Sequence, residues 1–419
     1  MTLYCAGGST VTALADGLAW LWRLGPRVDA PARTAVGLGD ADEAPALAAL
    51  VAARRLAGAV ILAPGAGPAS PPLPARRAAS GVAHFGGART VGTYTLFASG
   101  SAVVRSSLGV HAVREGQVLM LGAGPELWGR LDAFWALEAI VAFLTERLER
   151  PPVRLPPVGC LRLDDFPGTA ELQLRGSARS DARQRARAEG MVRRLERTRA
   201  RLIVAVAARA LSGDAVVPLH EVWPSAVSTL ADGVRRGMLE PACHGLLHLD
   251  RTASGVEPRE FASMDADAAG RALDLAVEWL TRHVGAPRSF VAPAWGYGPG
   301  ALSAARERGL RSWMPPEPGP LLHGMQLHET LAIGLPGLHR LDYAPVSRLA
   351  AVGLPPTVVF HGRLLDDRLP RLRAARDLVG AARLARTPDL WRMMRLRGVR
   401  WVGAEELADV LERHQERGH

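Results

Sequence analysis

The stretch LRLDDFPG, Leu161 to Gly168, decides how the chain is read. A short apolar run ends in adjacent carboxylates, Asp164 and Asp165, and a Phe-Pro-Gly turn follows. Neighbouring residues of a strand point to opposite faces. Both acids therefore reach one place only where the strand breaks up, as Pro167 and Gly168 signal; one carboxylate can then hold a metal while the other stays free as a base. Just upstream, PPVRLPPVG (151–159) has four prolines in nine positions, which no helix can cross. The chain is accordingly divided into units 1–150 and 151–419.

Beyond this boundary the apolar pattern predicts strands at 159–163, 202–208, 240–243, 288–293, 311–314, 331–335, 356–360 and 398–402. Helices are predicted at about 180–199, 224–237, 264–283, 300–309, 366–384, 387–396 and 404–414. This alternation fits a (β/α) barrel, whose chemistry sits at the carboxyl ends of its strands. Three further groups fall at such ends. PACHGLLHLD places His244 and His248 four apart, the spacing that puts two imidazoles on one face of a helical turn. With a carboxylate from Asp165 they complete a His-His-Asp set for a divalent ion, with positions left for water and a substrate oxygen. SFVAPAWGYG delivers Pro293, Trp295 and Tyr297 into a glycine-flanked loop that can stack on a sugar or simply pack. PTVVFHG ends a strand in His361, suited by its ordinary pKa to protonate a leaving group near neutrality.

Taken together, LRLDDFPG, CHGLLH, FVAPAWGY and VVFHG, in that order over roughly 158–405, resemble the polysaccharide deacetylase (NodB-homology) superfamily, in its divergent branch. The resemblance implies a distorted seven-stranded (β/α) barrel and metal-dependent removal of an N- or O-acetyl group from a sugar. It implies that Asp164 is the catalytic base, that Asp165, His244 and His248 bind the metal, and that His361 is the acid. Two departures stand out. The family arginine after the aromatic residue of the third element is replaced by Val291, which leaves Asp164 without a named charge partner. The Asp-x-x-Asp-Trp-like element before the last motif is missing; Asp342 is not promoted to fill it, and His323 and His328 are read as loop residues.

The first 150 residues predict helices at 11–24 and 44–56, an apolar strand at 59–63, strands near 92–98 and 117–121, and an amphipathic helix within 125–150. A mostly parallel sheet covered on both faces is expected. QVLMLGAG followed by FWALEAIVAFL is faintly similar to glutamine amidotransferase-like and other flavodoxin-like domains. Cys5 finds no matching His and acid pattern around His84 or His111, so the unit is expected to be accessory.

The chain has 419 residues, 48% hydrophobic and 22% charged, well inside the globular range. Its 51 basic residues against 41 acidic ones give a net charge of +10, and there is no lysine, so every basic side chain is arginine. Such a balance invites nucleic acid. Yet Arg193, Arg194, Arg197, Arg199 and Arg201 lie in or beside one amphipathic helix, and no zinc finger, helix-turn-helix or RNP-like strand accompanies them. A coding bias gives the same numbers with no partner. Cys5, Cys160 and Cys243 are too few for a disulfide framework. The opening MTLYCAGGSTVTALADGLAWLW lacks a basic n-region, and no run reaches the roughly 18 apolar residues of a membrane span. A cytoplasmic protein is expected.

The leading expectation is a hydrolase with zinc, or cobalt, nickel or manganese, acting on a small acylated amino sugar or intracellular glycoconjugate, which the arginine excess would favour as an anion. A metal-binding or regulatory module of weak or no activity is the first rival. An arginine-driven nucleic-acid binder is the second.

Overall fold

The computed structural model describes residues 2–24, 28–62, 75–85, 88–98, 100–122, 134–149, 156–166, 180–212, 215–248, 250–252, 255–257, 260–293, 296–310, 312–313, 332–333, 357–361 and 398–416. In the first unit, eight strands form one sheet: β1 (Thr2–Ala6), β2 (Ala35–Asp40), β3 (Gly58–Leu62), β4 (Ala75–Phe85), β5 (Ala88–Phe97), β6 (Ser101–Ser106), β7 (Gly109–Glu115) and β8 (Val118–Leu121). Their order is β1-β2-β3-β8-β7-β5-β4, with β6 on β7. Helices α1 (Ser9–Trp22), α2 (Ala44–Ala52) and α3 (Phe134–Arg147) accompany them.

The expected parallel sheet is half of what is found. Strands β1, β2, β3 and β8 pair in parallel, whereas the pairings among β4, β5, β6, β7 and β8 are antiparallel. Between 75 and 121 the connections are too short for a crossover helix, so successive strands turn back on one another. Gly116, at a φ of 54°, supplies one such turn between β7 and β8, where positive φ suits glycine. Strand β1 also lies at the sheet edge, whereas a flavodoxin-like order places the first strand inside.

The second unit contains β9 (Val158–Phe166), β10 (Leu202–Val206), the hairpin β11 (Arg209–Ser212) and β12 (Ala215–Pro218), β13 (Leu239–Cys243), the hairpin β14 (Asp250–Thr252) and β15 (Gly255–Glu257), β16 (Ser289–Phe290), β17 (Ser312–Trp313), β18 (Ala332–Ile333), β19 (Thr357–His361) and β20 (Arg400–Val402). Its helices are α4 (Asp181–Thr198), α5 (Leu219–Val222), α6 (Pro224–Arg235), α7 (Ala266–His283), α8 (Pro299–Glu307) and α9 (Ala404–Glu416). The large sheet runs β17-β16-β13-β10-β9-β19-β18, with β20 on the first residues of β9, and its pairings are parallel. From β9 the chain climbs outward through β10, β13, β16 and β17 on one side, while β19 and then β18 lie on the other. This order suits a distorted, barrel-like arrangement, with no pairing between β17 and β18 among the described residues. The predicted helices 366–384 and 387–396 lie outside the described residues. The two small hairpins fall outside the strands expected from the sequence.

Parity along β9 separates two environments. Leu161 and Leu163 join the cluster that contains Met191, Leu195, Leu230 and Leu273 of the surrounding helices. Val158 and Cys160 face the other way, with Ile203, Ala205, Ala242, Val291 and Val402, and Ala404, Leu407 and Val410 of α9 close this cluster. Arg162 and Asp164 continue the second row toward the carboxyl end of β9. Caps fix the helices around it. Ser180 accepts from the amide of Arg183 at 3.3 Å, and Asp265 from that of Ala268 at 2.7 Å. Contacts of this kind are worth about 1 kcal/mol each.

His111, fully buried in β7, has its pKa lowered by burial to about 4. A histidine depressed in the fold contributes stability above its unfolded pKa of about 6.5, and that stability is lost as pH falls toward about 4. The expected cost is about 3 kcal/mol. Thermal unfolding between pH 7 and 4 should show it as a fall in midpoint that is smaller in His111→Leu; an equal fall in both proteins removes His111 as the cause.

Candidate metal site

Asp164 and Asp165 lie where the ladder between β9 and β10 slips: Val204 pairs with Leu163, but Val206 pairs with Phe166. Two residues of β9 thus oppose one of β10, a β-bulge. Asp165 adopts a left-handed backbone conformation there, with φ of 56°. The strand does not unravel at the acids, as the sequence suggested. It continues to Phe166 and uses the bulge to turn its two carboxylates in different directions.

Asp164 meets Arg162, two residues earlier on the same face. The guanidinium donates from Nε to Oδ1 at 2.7 Å and from Nη2 to Oδ2 at 2.8 Å. The two side chains of this bidentate fork are 0% and 1% exposed, and such paired charge-assisted bonds are among the strongest a protein makes. The expectation that Asp164 lacks a charge partner is therefore wrong. Val291 stands where the resemblance led one to expect an arginine, but the charge comes from β9 itself. Nothing in the sequence motif distinguished Arg162 from the other arginines except its position i−2 from Asp164, which puts both on one strand face.

Asp165 meets both histidines. His244 Nε2 lies 2.8 Å and His248 Nε2 3.0 Å from the same oxygen, Oδ1. Among the described residues, these three buried side chains form the one group of His, Cys, Asp and Glu whose potential ligand atoms all lie within 4.8 Å of one another. Burial pushes the Asp165 carboxyl up, yet the hydrogen bonds and charges of His244 and His248 hold it well below the usual carboxylate range. Burial likewise lowers His248, but the hydrogen bond and charge of Asp165 outweigh it and raise its pKa.

The histidines do not converge through a helical turn. Residues 244–248 form an irregular loop after β13, with Gly245 at φ 77° and His248 at φ 61°. A Cβ at Gly245 would overlap Glu260 Oε2 and come within 2.8 Å of the Phe261 ring. This position therefore requires glycine for both space and conformation. The loop is tied down by its carbonyls: Gly245 accepts from the amide of Ala208 at 3.3 Å and Leu246 from that of Arg209 at 2.8 Å.

One contact identifies the proton on His244. Its Nδ1 lies 2.8 Å from the carbonyl oxygen of Val291. A carbonyl can only accept, so Nδ1 carries a hydrogen. In a neutral imidazole Nε2 then presents a lone pair, and it points at a carboxylate oxygen. Two lone pairs face each other only with a cation or a second proton between them. A ring fixed by an N–H to carbonyl contact, with the other nitrogen aimed at a carboxylate, is the arrangement a metal-binding histidine needs, and the donor set fits a divalent ion.

Other predicted residues fall around this centre. His361 ends β19, its main chain in register with Asp164, so the two share one end of the sheet. Pro293 is buried, with Cγ 3.1 Å from a Cβ built on Gly245, and Tyr297 is half-buried and bridges Phe261 through the main chain. Trp295, Asp342, His323 and His328 lie outside the described residues. In the first unit, Cys5 Sγ lies 3.6 Å from Thr12 Oγ1. Arginines of α4 engage acids, as in Arg185 with Glu189 and Arg193 with Glu189. No helix among the described residues is long and apolar enough to cross a membrane.

No protein-family model matches the chain, and no curated protein does. Solved structures do. A mutant of a CE4 family pseudoenzyme from Bacillus anthracis, with restored enzymatic activity, is 10% identical over 61% of this chain and 68% of its own, with a TM-score of 0.35. A proposed polysaccharide deacetylase from Mycobacterium smegmatis is 14% identical over 63% and 94%, at 0.39. A family 4 acetyl xylan esterase from Clostridium thermocellum, in complex with a cobalt ion, is 12% identical over 60% and 91%, at 0.33. All three likenesses are distant.

Removing one member of a buried ion pair strands the other charge. Arg162→Leu should therefore destabilise the chain by about 3–5 kcal/mol, and Arg162→Leu with Asp164→Leu should recover most of that loss. Equilibrium denaturation of the two proteins measures it; a double variant no better than the single one would show that Asp164 is solvated without the fork.

Proposed function

We propose that this chain is a deacetylase-like protein that holds a divalent metal through Asp165, His244 and His248 and whose hydrolytic activity is weak or absent. The observation that supports it is the cluster of Asp165, His244 and His248, whose potential ligand atoms all lie within 4.8 Å of one another. Two imidazoles and a carboxylate suit zinc, and cobalt, nickel or manganese can be accommodated by the same ligands. Bound there, such an ion supplies a Lewis acid for an acyl oxygen and for water. Weak catalysis is supported by the burial of Asp164, the residue that would take a proton, whose side chain is 1% exposed. The arginine excess is read as surface ion pairing rather than as a nucleic-acid footprint.

The second reading is a working hydrolase that removes an acyl group, acetyl first, from an amino sugar or related intracellular conjugate, an anionic one by preference. The register of His361 opposite Asp164 favours it. Asp164 would use a remaining lone pair to take the proton of the attacking water, and His361 would donate one to the departing amine or alcohol. Pro293, Trp295 and Tyr297 would form the wall for the sugar. In both readings residues 1–150 are an accessory unit of a cytoplasmic protein.

Zinc titration of the full chain should give one ion per chain. Affinity should fall as pH is lowered, because protons compete for the imidazoles. His244→Ala and Asp165→Asn should abolish binding, and a panel of N- and O-acetylated sugars should release acetate at background rates. Acetate release that disappears in Asp164→Asn while zinc is retained would establish the hydrolase instead; a wild-type chain that binds no divalent ion overturns both readings.

A further inference from the structure

We propose that Glu260 is a positioning residue of this metal site, a buried carboxylate that shapes the 244–248 loop so that His244 and His248 both aim Nε2 at Asp165. The proposal rests on the metal-binding reading. Glu260 lies 12 residues beyond His248 in the chain and is 3% exposed. Its Oε1 and Oε2 accept from the amide of Leu246, each at 3.0 Å, and Oε2 also accepts from Leu247 at 3.2 Å and His248 at 3.1 Å.

Three consecutive amides converge on one carboxylate only where the backbone curls into a concave nest, and the left-handed conformations of Gly245 and His248 make that curl. A non-glycine residue held at such an angle requires surroundings that over-determine it. Here those surroundings are Glu260 on the amide side and the amides of Ala208 and Arg209 on the carbonyl side. A buried carboxylate in turn needs its hydrogen bonds, since unpaired it would be costly. Carboxylate and loop thus fix each other.

Glu260 is itself anchored. Phe261 is fully buried and packs edge-to-face on Phe290, with ring centroids 5.2 Å apart and planes at 85°. Phe290 precedes Val291, whose carbonyl holds His244. The same packing contact therefore braces the supports of both histidines, while the bulge in β9 supports Asp165.

Cobalt and zinc titrations of the full chain test this. Glu260→Gln keeps one accepting oxygen but turns an amide nitrogen toward the loop. It should bind either ion about 10- to 100-fold more weakly than wild type, with altered visible absorption bands for bound cobalt. Glu260→Asp, which keeps the charge, should recover part of the affinity and the wild-type bands. Unchanged affinity and spectrum in Glu260→Gln would overturn the proposal. If that variant does not fold, amide exchange of the wild type decides: slow exchange at Leu246, Leu247 and His248 supports the nest, and unprotected exchange overturns it. A wild-type chain that binds neither ion brings down the metal reading and this one together, whereas binding that ignores position 260 brings down this one alone.

Discussion

Two carboxylates on consecutive residues, both taken out of water, repel each other and each forfeits its hydration. The second unit is organised around making that tolerable. The bulge in β9 separates Asp164 and Asp165, so that each finds its own partners: a guanidinium fork for one, a pair of imidazoles for the other. This demands a strand with support on both edges, and β9 has it, with β10 and β19 alongside and β20 at its start. It also demands an interior sealed from below, where α9 packs beneath Val158 and Cys160.

Much of this was legible in the sequence because the buried strands of a parallel sheet are short apolar runs, here ending in polar residues. The runs at 159–163, 202–208, 240–243 and 356–360 each contain or overlap an observed strand, and the acids and His361 stand at the ends where they were expected. The histidine pair was found for a spacing that turned out to serve a different backbone. Residues four apart meet on a helix, but they also meet across a tight left-handed loop, and Gly245 was the only hint of the second.

What stayed hidden was hidden by composition and by distance. Arg162 sits inside an apolar strand, where a lone arginine is conspicuous in most proteins; among 51 arginines and no lysine it looked like background. Glu260 acts across a hairpin, on main-chain atoms that carry no residue identity. In the first unit, strands near β5 and β8 were expected, but β6 escaped because it is exposed along much of its length, and an exposed strand has no strong apolar alternation to betray it.

The supports of the two histidines are largely main-chain groups: the carbonyl of Val291 and the amides of Leu246, Leu247 and His248. A peptide group offers the same donor and acceptor whatever side chain it bears. Positions 246, 247 and 291 can therefore drift in residue type under packing constraints alone, while the demand for a particular chemistry is concentrated on Asp165, Gly245, Glu260 and the histidines themselves. A site built in this manner ages unevenly, with a few invariant points set among neighbours that are free to be replaced.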